Sequence, residues 1–256
     1  MAGNIPMVGF HDFLSVLISG HRLKAKLSTQ DSVLLTDLAH RLMEIEPEMR
    51  DYIQFSDRLH EVAAVIATGS DNTARYFEYY FRDIPHLIRK NRASCAVILG
   101  EESQEELKAL GTDIFSYFGL GCRNVSKLYV PAKYEFTKLF QAWDQSGKIL
   151  HHSGYFNNYE YQKSILLVNR TDFFDNGFIL LKEEEALVSP IAVLYFEYFT
   201  DQDALLDKIK KNEAKIQCTV SARHGFKGSE VFGQSQFPEV SDYPDKVDTL
   251  KFLSGV

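Results

Sequence analysis

The strongest nucleophiles the chain offers are three cysteines, Cys95, Cys122 and Cys218. As a thiolate, cysteine attacks acyl carbon and carries the acyl group as a thioester. Cys95 in CAVIL and Cys218 in KIQCTVS sit inside apolar runs and read as small buried hydrophobes. Cys122 lies in Phe118-Gly119-Leu120-Gly121-Cys122-Arg123-Asn124. Two glycines just before it permit close backbone approach, and Arg123 beside it either favours the thiolate or points its side chain away. The plain alternative is a third small core residue. A second chemistry is suggested by Ala67-Thr68-Gly69-Ser70, where a strand gives way to a helix. Free N–H groups at a helix start, with hydroxyls beside them, can hold a phosphate, although an ordinary capped helix reads the same way. Lys26, Ser28 and Thr29 at another strand end offer a cation and hydroxyls to a ribose or its phosphate, against a plain helix cap. The eight histidines form no HxH or HxxxH pattern and the cysteines no CxxC, so no metal is expected.

These residues need elements to carry them. Residues 8–18 carry apolar positions at helical spacing, closed by Gly20, and 22–28 alternate like a strand. Residues 31–45 place Leu34, Leu35, Leu38, Leu42 and Ile45 on one helical face. Short apolar runs at 52–55, 62–67, 86–89 and 95–99 read as strands, with helices at 72–82 and 102–118. The second half gives strands at 127–130, 178–181, 191–199 and 215–221, and helices at 132–143, 155–168 and 202–211. Alternation of this kind means an α/β fold with a mostly parallel sheet. The aromatic cluster 77–81 reads as helix packing, and Glu183, Glu184 and Glu185 as a solvated loop.

Length and composition narrow the classes. The 256 residues, 45% hydrophobic and 25% charged, suffice for a sizeable core and exclude a disordered or fibrous chain. With 28 Lys+Arg against 35 Asp+Glu the net charge is -7, which argues against a nucleic-acid partner. The longest apolar runs fall far short of the roughly 20 residues that span a bilayer. The N-terminus lacks a basic region, and the unpaired cysteines suit a reducing cytoplasm.

Taken in order, the segments resemble the aldehyde dehydrogenase superfamily. Within it they resemble the acyl-CoA reductase branch, the bioluminescence-type fatty acyl reductases. Asn4-Ile5-Pro6 resembles the family's Asn-Phe-Pro motif, and KLST at 26–29 its strand-end lysine motif. TGSDN at 68–72 resembles its Thr-Gly-Ser turn. Gly121-Cys122, with Lys127 five residues on, resembles the nucleophile segment, and Phe232-Gly233-Gln234 the late Phe-Gly-Gly motif. The stretch YFEYYF…IRKNR…YFGLGCRNVSKLYVP points to the reductase branch.

The resemblance implies a Rossmann-type nucleotide-binding domain over 1–118, its N-terminal part absent, and an α/β catalytic domain over 119–221. A tail over 222–256 would pack back on the core or on a neighbouring subunit. It implies reduction of a long-chain acyl-CoA to the aldehyde with NADPH, NADH being possible, in a homo-oligomer or with an acyl-transferring partner subunit. Cys122 would be the nucleophile and Asn4 the oxyanion donor, with Lys26, Ser28, Thr29, Gly69 and Ser70 on the cofactor. Thr29 stands where NAD-preferring members carry a glutamate, which points to NADPH. The glutamate that aldehyde oxidisers use as a base should lie near 89–94, and RKNRAS holds none. A second family glutamate aligns with Ala186, beside Glu185. The alternatives are an inactive remnant that binds a partner and an acid-forming aldehyde dehydrogenase.

Overall fold

A computed structural model of the chain describes residues 1–223 and 225–256. The elements begin with α1 (Phe10–Ile18), β1 (Leu23–Ala25), α2 (Val33–Ile45), β2 (Ile53–Phe55), β3 (Val65–Thr68), α3 (Asp71–Tyr80) and β4 (His86–Arg89). They continue with β5 (Ala93–Val97), α4 (Gln104–Phe115), β6 (Val125–Pro131), α5 (Thr137–Trp143), α6 (Ser153–Val168), β7 (Phe174–Asp175) and β8 (Leu180–Glu183). The last are β9 (Val193–Phe199), α7 (Gln202–Lys211), β10 (Ile216–Ser221), β11 (Glu230–Val231) and α8 (Thr249–Leu253). Among the described residues no helix is long and apolar enough to cross a membrane.

The chain divides into two compact units, Met1–Asn91 with Glu239–Val256, and Arg92–Pro238. The boundary expected at 118 therefore moves. β5 lies hydrogen-bonded between β10 and β6, so it and α4 belong with the sheet of the second unit. The tail expected as one piece over 222–256 splits at Glu239. Its end returns to the first unit, where the Thr249 hydroxyl accepts from Arg89 Nη2 at 2.9 Å.

In the first unit β1 pairs with β2 and β3 with β4, both parallel, as two separate two-stranded sheets. Phe13, Leu23, Ala25, Leu35, Ala39 and Ile53 form its core. The α2 face expected from spacing is narrower than predicted: Leu35 is buried, whereas Leu34 and Ile45 are exposed. On α3 the aromatic cluster is likewise only partly packed. Phe77 and Phe81 contact each other, while Tyr79 and Tyr80 are exposed.

The second unit is built on a seven-stranded sheet, β11-β10-β5-β6-β9-β8-β7, parallel except for β7 against β8. Every residue of β5 is buried, as a strand covered on both faces requires. Side chains of alternate parity serve opposite faces. Ala96 and Leu128 join Leu107, Leu110, Leu139 and Trp143 of α4 and α5. Cys95, Val97 and Tyr129 join Leu205 and Ile209 of α7. Helices thus cover both faces, the doubly wound arrangement.

Candidate active site

Cys122 is exposed and lies in the turn between α4 and β6, at the amino edge of the sheet. Sequence spacing extends the preceding helix to 118, but α4 stops at Phe115. Tyr117 (φ 50°) and Phe118 (φ 58°) adopt left-handed backbone, a strained conformation for aromatic residues. The carbonyls this ending orphans are met by Asn124. Its Nδ2 lies 3.1 Å from Asp113 O, 3.2 Å from Ile114 O and 2.8 Å from Ser116 O. The same amide's Oδ1 accepts from Gly121 N–H at 2.8 Å. Buried Asn124 therefore ties the end of α4 to the residue before Cys122.

Ser94, on β5, donates its hydroxyl to Cys122 O at 3.0 Å and accepts from Cys218 N–H at 3.1 Å. The Arg123 guanidinium does not serve as the neighbouring charge that the sequence suggested. Its Nη1 lies 3.2 Å from Cys218 Sγ and 3.3 Å from Ser235 O. Both other cysteines are buried as expected, and burial pushes Cys95 up to about 11 and Cys218 up to about 12. At neutral pH they stay thiols, unsuited to attack.

Lys127, on β6 two residues past Val125, points away from solvent with a fully buried side chain. Its ammonium lies 3.2 Å from Glu197 Oε2 and donates to Glu184 O, while Lys208 pairs with Glu197 Oε1. Burial lowers the Lys127 pKa despite Glu197. Burial would raise Glu197, but Lys208 and Lys127 hold it below its ordinary value. The glutamate run is thus not simply a solvated loop: Glu184 also pairs with Lys182 at 2.8 Å.

In the first unit, Asn4 and Thr29 line one cleft of about 300 Å³ with Gly3, Gln30, Asp31 and Ser32. Lys26 and Thr29 are exposed just beyond β1, and Ser28 Oγ accepts from Gln30 N–H at 3.2 Å. Ser70 caps α3, accepting from Thr73 N–H at 3.3 Å. Gly69 is required for close packing, since a Cβ there would meet Thr73 Cβ at 2.8 Å. An exposed cation at Lys26 and hydroxyl at Thr29 beyond β1, and separately the start of α3 at Gly69 and Ser70, are donor types suited to a phosphate-bearing nucleotide. Where the resemblance places an acid-forming base, Arg89 is buried and paired with Asp12, its Nη1 2.5 Å from Oδ1.

No family model matches the chain, and no curated protein does. Solved structures do match. Indole-3-acetaldehyde dehydrogenase of P. syringae, solved with NAD+, superposes with TM-score 0.65 at 12% identity, over 90% of this chain and 57% of that one. The chain carries the aldehyde dehydrogenase fold. An aldehyde dehydrogenase of Bacillus cereus, also an NAD+ complex, gives TM-score 0.64 at 13% identity, over 88% of this chain and 55% of that one. Aldehyde dehydrogenase 21 of Physcomitrella patens, solved with succinate, gives TM-score 0.67 at 10% identity, over 96% and 63%. The chain thus spans little more than half the length of the aldehyde dehydrogenases it resembles.

Sequence reading missed Asp113, Asn124, Ser94 and Ser235, the groups that hold the Cys122 turn. The one available signal was Asp113 itself, a carboxylate between Leu110 and Ile114 on a helix stripe that is otherwise apolar.

Proposed function

We propose that the chain reduces an acyl-CoA thioester to the aldehyde with NADPH through an acyl-Cys122 intermediate. The observation that carries this reading is Cys122 itself. It is the exposed cysteine of the three, on a turn fixed by Asn124 and Ser94, in an aldehyde dehydrogenase fold. Its thiolate attacks the thioester carbonyl, the C–S bond to CoA breaks, and CoA leaves as the thiol. Asn4 is assigned the side-chain amide that donates to the oxyanion, with Cys122 N–H as the second donor. A bound reduced nicotinamide supplies the hydride that converts the acyl group to the aldehyde level. The Cys122 sulfur then departs as thiolate and frees the aldehyde. No water is activated on this path, which agrees with the missing acid at 89–94 and with Arg89 being held by Asp12. Lys26, Ser28, Thr29, Gly69 and Ser70 are assigned to the nucleotide. A homo-oligomer or an acyl-transferring partner subunit, in the cytoplasm, completes the proposal.

The test incubates the chain with long-chain acyl-CoA and NADPH and analyses the products. Aldehyde with stoichiometric CoA release supports the reading. Carboxylic acid formed from added aldehyde, without thioester reduction, contradicts it.

A further inference from the structure

The Cys122 turn is held from a distance by a carboxylate with no place in the chemistry above. Asp113 stands on α4 and its side chain is fully buried. Its carboxylate accepts from Gly233 N–H at 2.6 Å, from Ser235 N–H at 3.1 Å and from the Ser235 hydroxyl at 2.7 Å. One helix-borne group thereby holds the 233–235 segment. Gly233 can take no side chain there: its φ is +85° and a Cβ would lie 3.1 Å from Ala109 Cβ.

That segment reaches the residue after the nucleophile at two points. The Ser235 hydroxyl lies 3.1 Å from Arg123 O, and Ser235 O accepts from Arg123 Nη1 at 3.3 Å. The residue before the nucleophile is tied to the same helix end through Asn124. Both flanks of Cys122 therefore hang from the last turn of α4, one through Asn124 and one through Asp113 and Ser235. The Ser235 hydroxyl has one proton, shared between Asp113 Oδ1 at 2.7 Å and Arg123 O at 3.1 Å, so its removal takes away the side-chain group that bridges the two.

We propose that Asp113 and Ser235 are positioning residues that fix Cys122 for attack on the thioester, an inference that rests on Cys122 being the nucleophile. They act through backbone on the Arg123 side and do not enter the reaction. A displacement of about 1 Å in a reacting group costs on the order of a hundredfold in rate, so a small loosening is measurable.

The experiment compares wild type, Ser235→Ala and Ser235→Thr in rapid-mixing acylation by labelled acyl-CoA, with amide hydrogen exchange on each. Ser235→Ala should lower the maximal acylation rate about tenfold to a hundredfold. The half-saturating acyl-CoA concentration should stay unchanged and exchange over 119–124 should rise. Ser235→Thr keeps the hydroxyl and should restore both. In the wild type, the Gly121, Gly233 and Ser235 amides should share one protection factor, the exchange rate relative to that of each amide in an unfolded chain. An unchanged acylation maximum in Ser235→Ala, no rescue by threonine, or separate protection factors for those amides would overturn the proposal. Wild type that takes no label would instead defeat the acyl-transfer reading, and the exchange rates would still judge the clamp.

Discussion

At the scale of single residues, burial separates the cysteines more sharply than any motif. Burial raises Cys95 to about 11 and Cys218 to about 12, whereas Cys122 is exposed. Alkylation needs the thiolate. Iodoacetamide at pH 7.5 should therefore modify Cys122 in the folded protein and reach the other two only in denaturant. Peptide mapping reads the result, and equal labelling of all three without denaturant would contradict it. This much was legible in sequence, because the apolar runs around Cys95 and Cys218 mark buried strands. Which way the Arg123 side chain points was not legible, since its partner Cys218 lies 95 positions away. Thr29 carries a second prediction. A neutral hydroxyl beside Lys26 leaves room for a 2′-phosphate, which a carboxylate would repel. A charge-assisted hydrogen bond is worth about 1.5–3 kcal/mol, roughly tenfold to a hundredfold in affinity. Fluorescence titration should show that preference for NADPH over NADH, and Thr29→Glu should reverse it. Equal affinities in the wild type would remove the assignment.

At the scale of elements, the order of strands and helices followed from periodicity, and their ends did not. α4 stops at Phe115 because Asn124, from the far side of the Cys122 turn, takes its last carbonyls. No local signal announces such a cap. The β6–β9 pairing was equally silent about its charge: Lys127 read as part of a strand motif, yet its ammonium is buried against Glu197. Removing one partner of a buried pair leaves an uncompensated charge, at a cost of about 3–5 kcal/mol. Glu197→Gln abandons both Lys127 and Lys208 and should lose only part of that in urea unfolding, because Glu197 keeps 23% of its side chain in solvent and Lys127 still donates to Glu184 O. Lys127→Met, which removes the buried cation itself, should lose less. A Glu197→Gln variant as stable as wild type would show that the pair contributes nothing.

At the scale of the whole molecule, alternation gave the α/β class but not the division into units. β5 looked like the last strand of a first domain. Only its pairing with β10, more than a hundred residues later, places it in the second unit's sheet. The carboxylates with lowered pKa values, Glu106, Asp175, Glu184 and Glu197, all lie in Arg92–Pro238. Burial would raise Asp175, but Lys163, Gly177 N–H and Tyr159 hold it down. A carboxylate lowered in the folded state contributes stability present above its unfolded pKa, near 4, and lost as pH falls through the folded value. Asp113 is raised by burial and works the other way: its contribution is present below the unfolded value and lost as pH rises through the folded one. Protonating Asp175 and Glu197 breaks their pairs with Lys163, Lys127 and Lys208, so the second unit should weaken as pH falls below about 4. Trp143, the single tryptophan, is buried in that unit's core and reports it alone. Its emission should give a thermal midpoint that drops steadily from pH 5 to pH 3. A midpoint flat across that range would contradict the assignment.

The acyl–Cys122 thioester is the bond on which the proposed reaction depends. Wild type and Cys122→Ala would be incubated with radiolabelled acyl-CoA without nicotinamide cofactor, quenched in acid and digested. Label is expected on the wild-type peptide that holds Cys122, its thioester cleaved by hydroxylamine to release the acyl hydroxamate, and none on the variant. Label that persists on Cys122→Ala, or a wild type that takes none, would contradict the proposed reaction.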